Sequence, residues 1–597
     1  MLKYTVFILA LFYSFAVGAT ENVRLKYLSI YNHPQYKNDF QSFRYVNPEA
    51  PKGGKIVLPA YGGFDNFNPF IFKGIAAPEV ADLTLESLGI VPVDDETTVY
   101  PLVAKEFELA KDNSFVGFIL DERAKFRDGS PILAEDVIFS FNVLLEKGSP
   151  FYKMYYADVE KVEQINKRHI RFYLKKGINN KELPLILSQF KIYSSADWQG
   201  KDFAKPTLQV PMGSGPYLLE DFSVGKFLTF KRNPDYWAQD IPSRRGFFNF
   251  DEIRYDYYQD TTVTLQALFS GNIDMREEYI AKIWVNGYNN DLLQRGDIIK
   301  EEVSHNQPAA LQYFGFNTRL PKFSDIRVRE AISLAFNFEW ANENLFYNQY
   351  RRIDSIFSNT KMAARGIPTE KEQRLLIKHQ KQLPSQLFLE EFKLPIHKNS
   401  NDTRKHLRKA VSLLQEAGYD FVDGKMTNLK TGEPLEVEVL SNAANGSSFT
   451  RVMLPFIENL KKIGIKMTFR NLEVNIFKNR LDNFDFEMAI LGIRMSNLPG
   501  NELKELWGSA SSDIKGSYNY MGIKNEILDE LIDIIISAKN KEEYLTAIKA
   551  LDRVIMFNHY LIPHWYSPHD RVAYRKGFKR PQTDIAAGVN PYTWWKE

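Results

Sequence analysis

The sequence predicts an α/β protein of several domains, with mixed sheets flanked by helices. Two observations lead there. Strand-like runs alternate with helical ones, most clearly where "EVEVL" (Glu436 to Leu440) and "IKMTFR" (Ile465 to Arg470) bracket a helical stretch at about 450–463. The chain also has 597 residues, more than one hydrophobic core organises, and its length corresponds to roughly three or four domains.

From the N-terminus, "MLKYTVFILALFYSFAVGA" places one Lys before about a dozen mostly apolar residues and ends on Val17, Gly18 and Ala19. This is the pattern of a secretory signal peptide, cleaved after Ala19. Its apolar core is shorter than the roughly 20 residues a membrane-spanning helix needs. No Cys follows it for lipid attachment, and the chain has no Cys at all. Disulfides and thiolate metal sites are therefore excluded. The net charge of +2, less Lys3 of the leader, gives no reason to expect nucleic acid or an anionic surface as partner.

"GGKIVLPAYGGFDNFNPF" (Gly53 to Phe70) reads as a short strand leaving a Gly turn into a loop rich in Asn and aromatic residues. "VPMGSGPYLLEDFSVGKFLTFKRNPDYW" (Val210 to Trp237) contains a glycine pair that invites comparison with a phosphate loop. Such a loop needs a following helix to aim backbone N–H groups. Here Pro216 removes a donor and leads into a strand. "YLLEDF" and "FLTFKR" around "SVGK" form a hairpin, and "NPDYW" makes an aromatic-capped turn. The stretch is read as structural.

"EIRYDYY" (Glu252 to Tyr258) alternates as a half-buried strand, and a helix from about Thr262 stops at Gly271. "FSDIRVREAISLAFNFEW" (Phe323 to Trp340) reads as one helix capped by Ser324 or Asp325, with Val328, Ala331, Ile332, Ala335 and Phe336 inward and an Asp325–Arg329 pair outside. "DTRKHLRKAVSLLQEAGY" is another helix, with Leu407, Val411 and Leu414 inward and Gly418 at its end. Residues 351–398 are charged and without a clean period, an excursion with short helices. A last helix, about 541–558, precedes "HYLIPHWYSPHDRVAYR".

Several of these stretches, in this order, resemble one family. "AKFRDGSPILAEDVIFSFNVLL" (Ala124 to Leu145), "GSGPY" with "RNPDYW", "LFSGNIDM", "FNTRLPKFSDIRVREAISLAFNFE" (Phe316 to Glu339), "AVSLLQEAGY" and "IPHWY" look like the signature segments of the large extracytoplasmic solute-binding proteins of ABC importers, the oligopeptide, dipeptide and nickel class, bacterial solute-binding protein family 5. "YVNPEAPKGGKIVLPAYGGFDNFNPF" and "PYTWW" (Pro591 to Trp595) resemble its Yej-type periplasmic peptide-binding branch.

The resemblance implies two α/β lobes with an extra inserted domain and ligand in the interdomain cleft. The implied layout is a signal peptide at 1–19, lobe I at 20–60, the inserted subdomain at 61–204, lobe I again at 205–295, lobe II at 296–540, and a return to lobe I at 541–597. The chain would cross between lobes near 290–310 and 530–545. Ligand would bind the closed state better than the open one, a hinge motion that the permease reads. No bond is made or broken, so no enzyme activity and no cofactor are expected. The implied protein is a monomer in the periplasm of a Gram-negative bacterium, with an oligopeptide or modified peptide as ligand, the inner-membrane ABC permease as partner, and no nucleic acid. The alternative is the same fold holding an oligosaccharide, a metal chelate or haem.

For binding residues, relatives place an acid that captures the ligand's α-ammonium in a segment matching "FDFEMAILGIRMSNLPGNELKELW" (Phe484 to Trp507). Here Met495 stands at that position, with Arg494 beside it. Arg494, with Asn497 near it, is the candidate for holding a carboxylate or phosphate, since a guanidinium pairs with either bidentately. In the "FDNFNPF" loop, Asp65, Asn66 and Asn68 are candidates to reach ligand and Phe64 and Phe67 to wall it; equally, Asn and Asp bond their own backbone in turns. Trp507 and Tyr520 are candidate walls in lobe II, or core rings. His559, His564 and His569 stand five apart, broken by Pro563 and Pro568, which does not put metal ligands on one helix face. There is no H-E-x-x-H and no G-x-S-x-G to indicate a hydrolase.

Overall fold

A computed structural model of the protein describes residues 23–597 apart from 32, 178–180, 584 and 586. The expected leader at 1–19 lies outside the described residues.

Lobe I is built on a four-stranded sheet in the order Tyr217–Ser223, Phe227–Arg232, Glu252–Tyr258, Lys55–Tyr61. The last two run parallel in full register, Ile253 opposite Ile56 and Tyr255 opposite Leu58. These alternating residues are the buried ones, which is the period-2 pattern of a strand with one core face. A second sheet sets Met275–Glu277 and Ile298–Ser304 on either side of His569–Arg575. The helix Thr261–Ser270 starts on Asp260, whose carboxylate accepts from the Thr262 N–H, and stops at Gly271 in the left-handed conformation, φ 80°.

The inserted subdomain has a five-stranded antiparallel sheet: Val23–Leu25, Ala104–Leu109, Phe115–Leu120, His169–Leu174, Val159–Asn166. Residues 23–29, expected in lobe I, belong to this subdomain: Val23 pairs with Leu109, and Leu28 with Val99.

Lobe II has a mixed five-stranded sheet in the order Lys466–Leu472, Glu436–Asn442, Met488–Ile493, Leu311–Phe316, Leu561–Pro563. The helix Ala443–Lys462 makes the crossover between parallel strands Glu436–Asn442 and Lys466–Leu472. Both faces are buried. Val437, Val439, Phe314 and Ile490 enter one core, and Leu440, Tyr313, Ala489 and Leu491 the other.

The helix expected over Phe323–Trp340 is three pieces: Pro321–Ser324, Ile326–Leu334 and Phe338–Asn344. Asp325 caps the second by accepting from the Arg327 N–H, and Asn337 caps the third by accepting from the Trp340 N–H. The expected Asp325–Arg329 pair is replaced. Asp325 pairs with Arg327 at 2.6 Å. Arg329 is buried and donates to the carbonyls of Phe323, Ser324 and Asn558, tying this helix to the end of helix Lys541–Phe557.

Two connections join the lobes, 305–310 before strand Leu311–Phe316 and 567–568 before strand His569–Arg575. The second differs from the expected 530–545. Helices Glu526–Ser537 and Lys541–Phe557 pack together, with Leu528, Leu531, Leu551 and Val554 in one core, so that position falls inside lobe II.

Candidate functional site

The glycine-rich stretch is architectural. An ideal Cβ on Gly213 would lie 2.0 Å from the Thr84 carbonyl oxygen, and one on Gly215 2.6 Å from that of Leu83. The segment therefore runs backbone against backbone along the end of helix Pro78–Thr84, and the Gly215 N–H donates to Thr84 at 2.9 Å. Trp237 donates its indole N–H to the Ser214 carbonyl. Tyr236 and Arg244 converge on the buried Glu86. Inserted subdomain and lobe I are clamped together here.

The candidate seam lies elsewhere, where strand ends meet. In open α/β sheets ligands bind beyond the carboxyl ends of the parallel strands. Lobe I brings two such ends, and the end of a third strand from the second sheet, to one place. Lys55–Tyr61 and Glu252–Tyr258 are parallel, and Gln259 donates to the Gly62 carbonyl at 2.8 Å. Met275–Glu277 joins them because Asp274 bonds Val57 through both backbone and carboxylate. At these ends Tyr61 is 42% and Tyr279 71% exposed. Tyr279 donates its hydroxyl to Glu277 at 2.9 Å. Desolvation, with a further push from Asp570, raises the pKa of Glu277 above the ordinary carboxylate value. A group that water reaches but does not fully solvate stands in a cleft.

Lobe II presents the ends of Glu436–Asn442, Lys466–Leu472 and Met488–Ile493. The last delivers Arg494 and Asn497, both exposed. Arg494 has no hydrogen bond or ion pair with any described residue. Met495 turns inward and is buried. Leu311, opposite Ile493, opens the strand that follows the first connection, so Arg494 stands beside the hinge. Across the seam the Tyr350 hydroxyl donates to the Tyr279 carbonyl at 3.1 Å, and Arg571 donates to the Gln349 carbonyl at 3.2 Å. Asn359, at φ 72°, donates to the carbonyls of His305 and Gln307 and pins the first connection.

The other sequence candidates are placed differently. Asn66 and Asn68 are buried; Asn66 accepts from the Asn68 and Thr207 N–H groups, and Asn68 donates to the Phe203 carbonyl. Asp65 accepts from the Ile75 N–H. Phe64 and Phe67 pack in the lobe I core against Tyr257 and Phe222. Pro69 and Phe70, just beyond them, wall an open cavity of about 390 Å³ with Asp82, Tyr152, Tyr155 and Phe190. Trp507 is fully buried in lobe II. Tyr520 is buried too, its carbonyl accepting from Arg319 beyond the far end of strand Leu311–Phe316. His564 lies buried among Phe314, Phe449 and Trp565, His559 faces Glu330, and His569 faces Ser304, so the three do not converge. Among the described residues no group of three or more such side chains is placed to hold a metal.

Tyr61, Glu277 and Tyr279 escape the sequence reading. Met275–Glu277 is three residues long, too short to show a period, and it reaches the seam only by lying beside Lys55–Tyr61.

Comparison with known proteins shows what the chain is similar to. The description "Bacterial extracellular solute-binding proteins, family 5 Middle" matches residues 98–513. The "Probable peptide-binding protein YejA" of Agrobacterium fabrum (strain C58 / ATCC 33970) is 36% identical over 590 residues, 97% of this chain and 95% of that protein. The "Peptidoglycan-binding protein YepA" of the same strain is 34% identical over 584 residues, 95% of this chain and 94% of that one. Among solved structures, the oligopeptide-binding protein AppA from Bacillus subtilis, in complex with a nonapeptide, superposes with a TM-score of 0.65 at 19% identity, covering 92% of this chain and 100% of that one.

Proposed function

We propose that this chain, which belongs to the bacterial extracellular solute-binding proteins of family 5, captures peptides or modified peptides between its lobes and delivers them to the permease of an ABC importer. The seam carries the reading. Lobe II offers an unpaired guanidinium, Arg494; lobe I offers a carboxylate, Glu277, beside two exposed rings, Tyr61 and Tyr279. A zwitterionic chain has one end for each. A guanidinium holds a carboxylate bidentately, and a carboxylate flanked by aromatic faces suits an ammonium. Open strand ends supply backbone groups for the ligand's main chain, which tolerates varied side chains. Arg494 and Asn497 are the proposed lobe II contacts. The Asp65–Asn68 turn supports the lobe I rim from below. Binding would close the hinge, and the closed form is what the permease reads. The protein would be a periplasmic monomer released from its leader.

Peptides carrying a sugar are a reading within the same proposal, favoured by the relative named for peptidoglycan binding and by the aromatic-walled cavity beside Phe70. The test is to purify the exported protein without denaturant, unfold it, and identify what is released by mass spectrometry. Peptides or glycopeptides are the expected result. A single non-peptide solute, such as an oligosaccharide, a metal chelate or haem, would replace the ligand class and leave the transport role standing.

A further inference from the structure

The lobes touch at a second place besides the two connections. Lys181 and Glu182, leading into helix Leu183–Gln189 of the inserted subdomain, meet lobe II at the loop before helix Glu502–Trp507 and at the break between its two long helices. Lys181 donates to the Ala538 carbonyl. The Glu182 carboxylate lies directly on the bare Cα of Gly500, where an ideal Cβ would be 2.3 Å from its Oε1. Glu502 accepts from the Gly500 N–H through Oε2 at 3.0 Å, while its Oε1 is shut from solvent with no donor. Thus two carboxyl groups, one from each lobe, are brought to the same glycine. No described cation pairs with either. Around them stand Tyr155 of the subdomain, Tyr31 packed on Tyr544 at 5.6 Å, and Glu543. Lys181 itself faces Glu543 and Lys539. Further along the same contact, Glu96 faces Lys541 and Lys361 of lobe II, with Asp95 beside it.

We propose that lobe closure is proton-coupled through this contact: bringing Glu182 and Glu96 against lobe II and Glu502 takes up protons, so acidification favours the closed form and alkaline pH the open form. Like charges brought together in a poorly solvated place cannot both ionise, and protonation lets one carboxyl donate to the other. Burial, then Glu502, pushes Glu182 up to about 8; burial pushes Glu96 up to about 7 despite its two lysines; Glu502 is raised by burial as well. In the open form Glu182 and Glu96 leave lobe II and return to ordinary carboxylate acidity near 4.5, while Glu502 keeps its bond to the Gly500 N–H. The sign follows. A group whose closed-state pKa is raised favours closure fully below about 4.5. That advantage is lost as pH climbs to about 7 for Glu96 and about 8 for Glu182. Between those limits each proton taken up changes the closed-to-open ratio by about tenfold per pH unit. This inference rests on the reading of the chain as a lobe-closing binding protein and describes how that site would be regulated.

The test needs no ligand. The chain has no Cys, so Glu160→Cys and Lys461→Cys, both exposed, allow a dye pair to report the distance between subdomain and lobe II by single-molecule energy transfer. The expected result is a closed population that shrinks as pH rises from 5 to 9. Glu182→Gln should flatten that slope by about one proton, and Glu96→Gln, Glu182→Gln and Glu502→Gln together should abolish it. A closed population that does not change with pH, or one that changes equally in wild type and triple variant, overturns the proposal. If the triple variant does not fold, as read by near-ultraviolet circular dichroism, the wild type and Glu182→Gln profiles decide. Failure here leaves peptide capture untouched; release of a non-peptide solute on unfolding would displace the peptide reading while leaving this closure profile intact.

Discussion

At the scale of single residues, a charge matters by whether it has a partner. Arg329 and Arg494 illustrate the two cases. Arg329 is buried, which pushes its pKa down to about 10, and its donors are taken up by backbone carbonyls of two helices. Arg494 sits exposed at the end of a buried strand with no partner among the described residues. Removing it breaks no native contact, so Arg494→Ala should leave the melting temperature of the ligand-free protein unchanged. It should weaken binding of the peptide that co-purifies with the wild type by at least about tenfold, about 1.4 kcal/mol, as read by calorimetry. Unchanged affinity would remove Arg494 from the site. Glu277 is the matching group on lobe I. Glu277→Gln keeps the Tyr279 hydrogen bond but removes the charge. It should weaken a peptide with a free α-ammonium by a similar factor and leave its N-acetylated form unaffected. Arg494 is legible in the sequence because it stands beside Met495, the position where the family resemblance leads one to expect an acid. Glu277 is not, because its neighbours at the seam come from strands more than two hundred residues away in the chain.

At the scale of elements, local signals carry far, and they fail where burial decides. Stops are readable: Gly271 and Gly418 end helices in left-handed conformations, whereas the caps Asp260, Asn399 and Asn540 that open them come from the structure. Asn399 accepts from both the Asn401 and Asp402 N–H groups at the start of the 17-residue helix Ser400–Glu416. Asn399→Ala should therefore cost about 1 kcal/mol in urea unfolding, with ligand affinity unchanged, and Asn399→Asp should restore most of it. The stretch "GSGPY" shows the other side. Its glycines suggest either a ligand loop or a close packing, and only the neighbouring helix end tells which. Since a Cβ on Gly215 would meet the Leu83 carbonyl oxygen and the Thr84 carbonyl carbon at 2.6 Å, Gly215→Val should abolish soluble folded protein. A well-folded variant that has lost only binding would reverse that reading. The rings of Phe64, Phe67 and Trp507 mislead for a related reason. A loop rich in aromatic residues looks the same in sequence whether its rings line a cleft or anchor the loop from beneath, and here they are core.

At the scale of the whole molecule, the two-lobed plan is readable from ordered motifs, but the position of a boundary depends on which core a helix joins. The sequence between 530 and 560 is two amphipathic helices with a short break at 538–540, and a break looks like a place to change lobes. The packing says otherwise. Helix Lys541–Phe557 buries Tyr544, Ile548, Leu551, Val554, Ile555 and Phe557, and strand Leu561–Pro563 then closes the edge of the lobe II sheet. Burying one such side chain contributes about 1.5–3 kcal/mol, so losing six exceeds about 9 kcal/mol. That is comparable to the whole stability of an ordinary domain, about 5–15 kcal/mol. A fragment spanning 306–566 should accordingly unfold in one cooperative transition by circular dichroism. A fragment spanning 296–540, which keeps the break but lacks the helix and the edge strand, should be collapsed or insoluble. The reverse outcome would return helix Lys541–Phe557 to lobe I and move the hinge with it. With both connections short and side by side, at 305–310 and 567–568, lobe II can swing only as one body, and the contact of Glu182 on Gly500 moves with it.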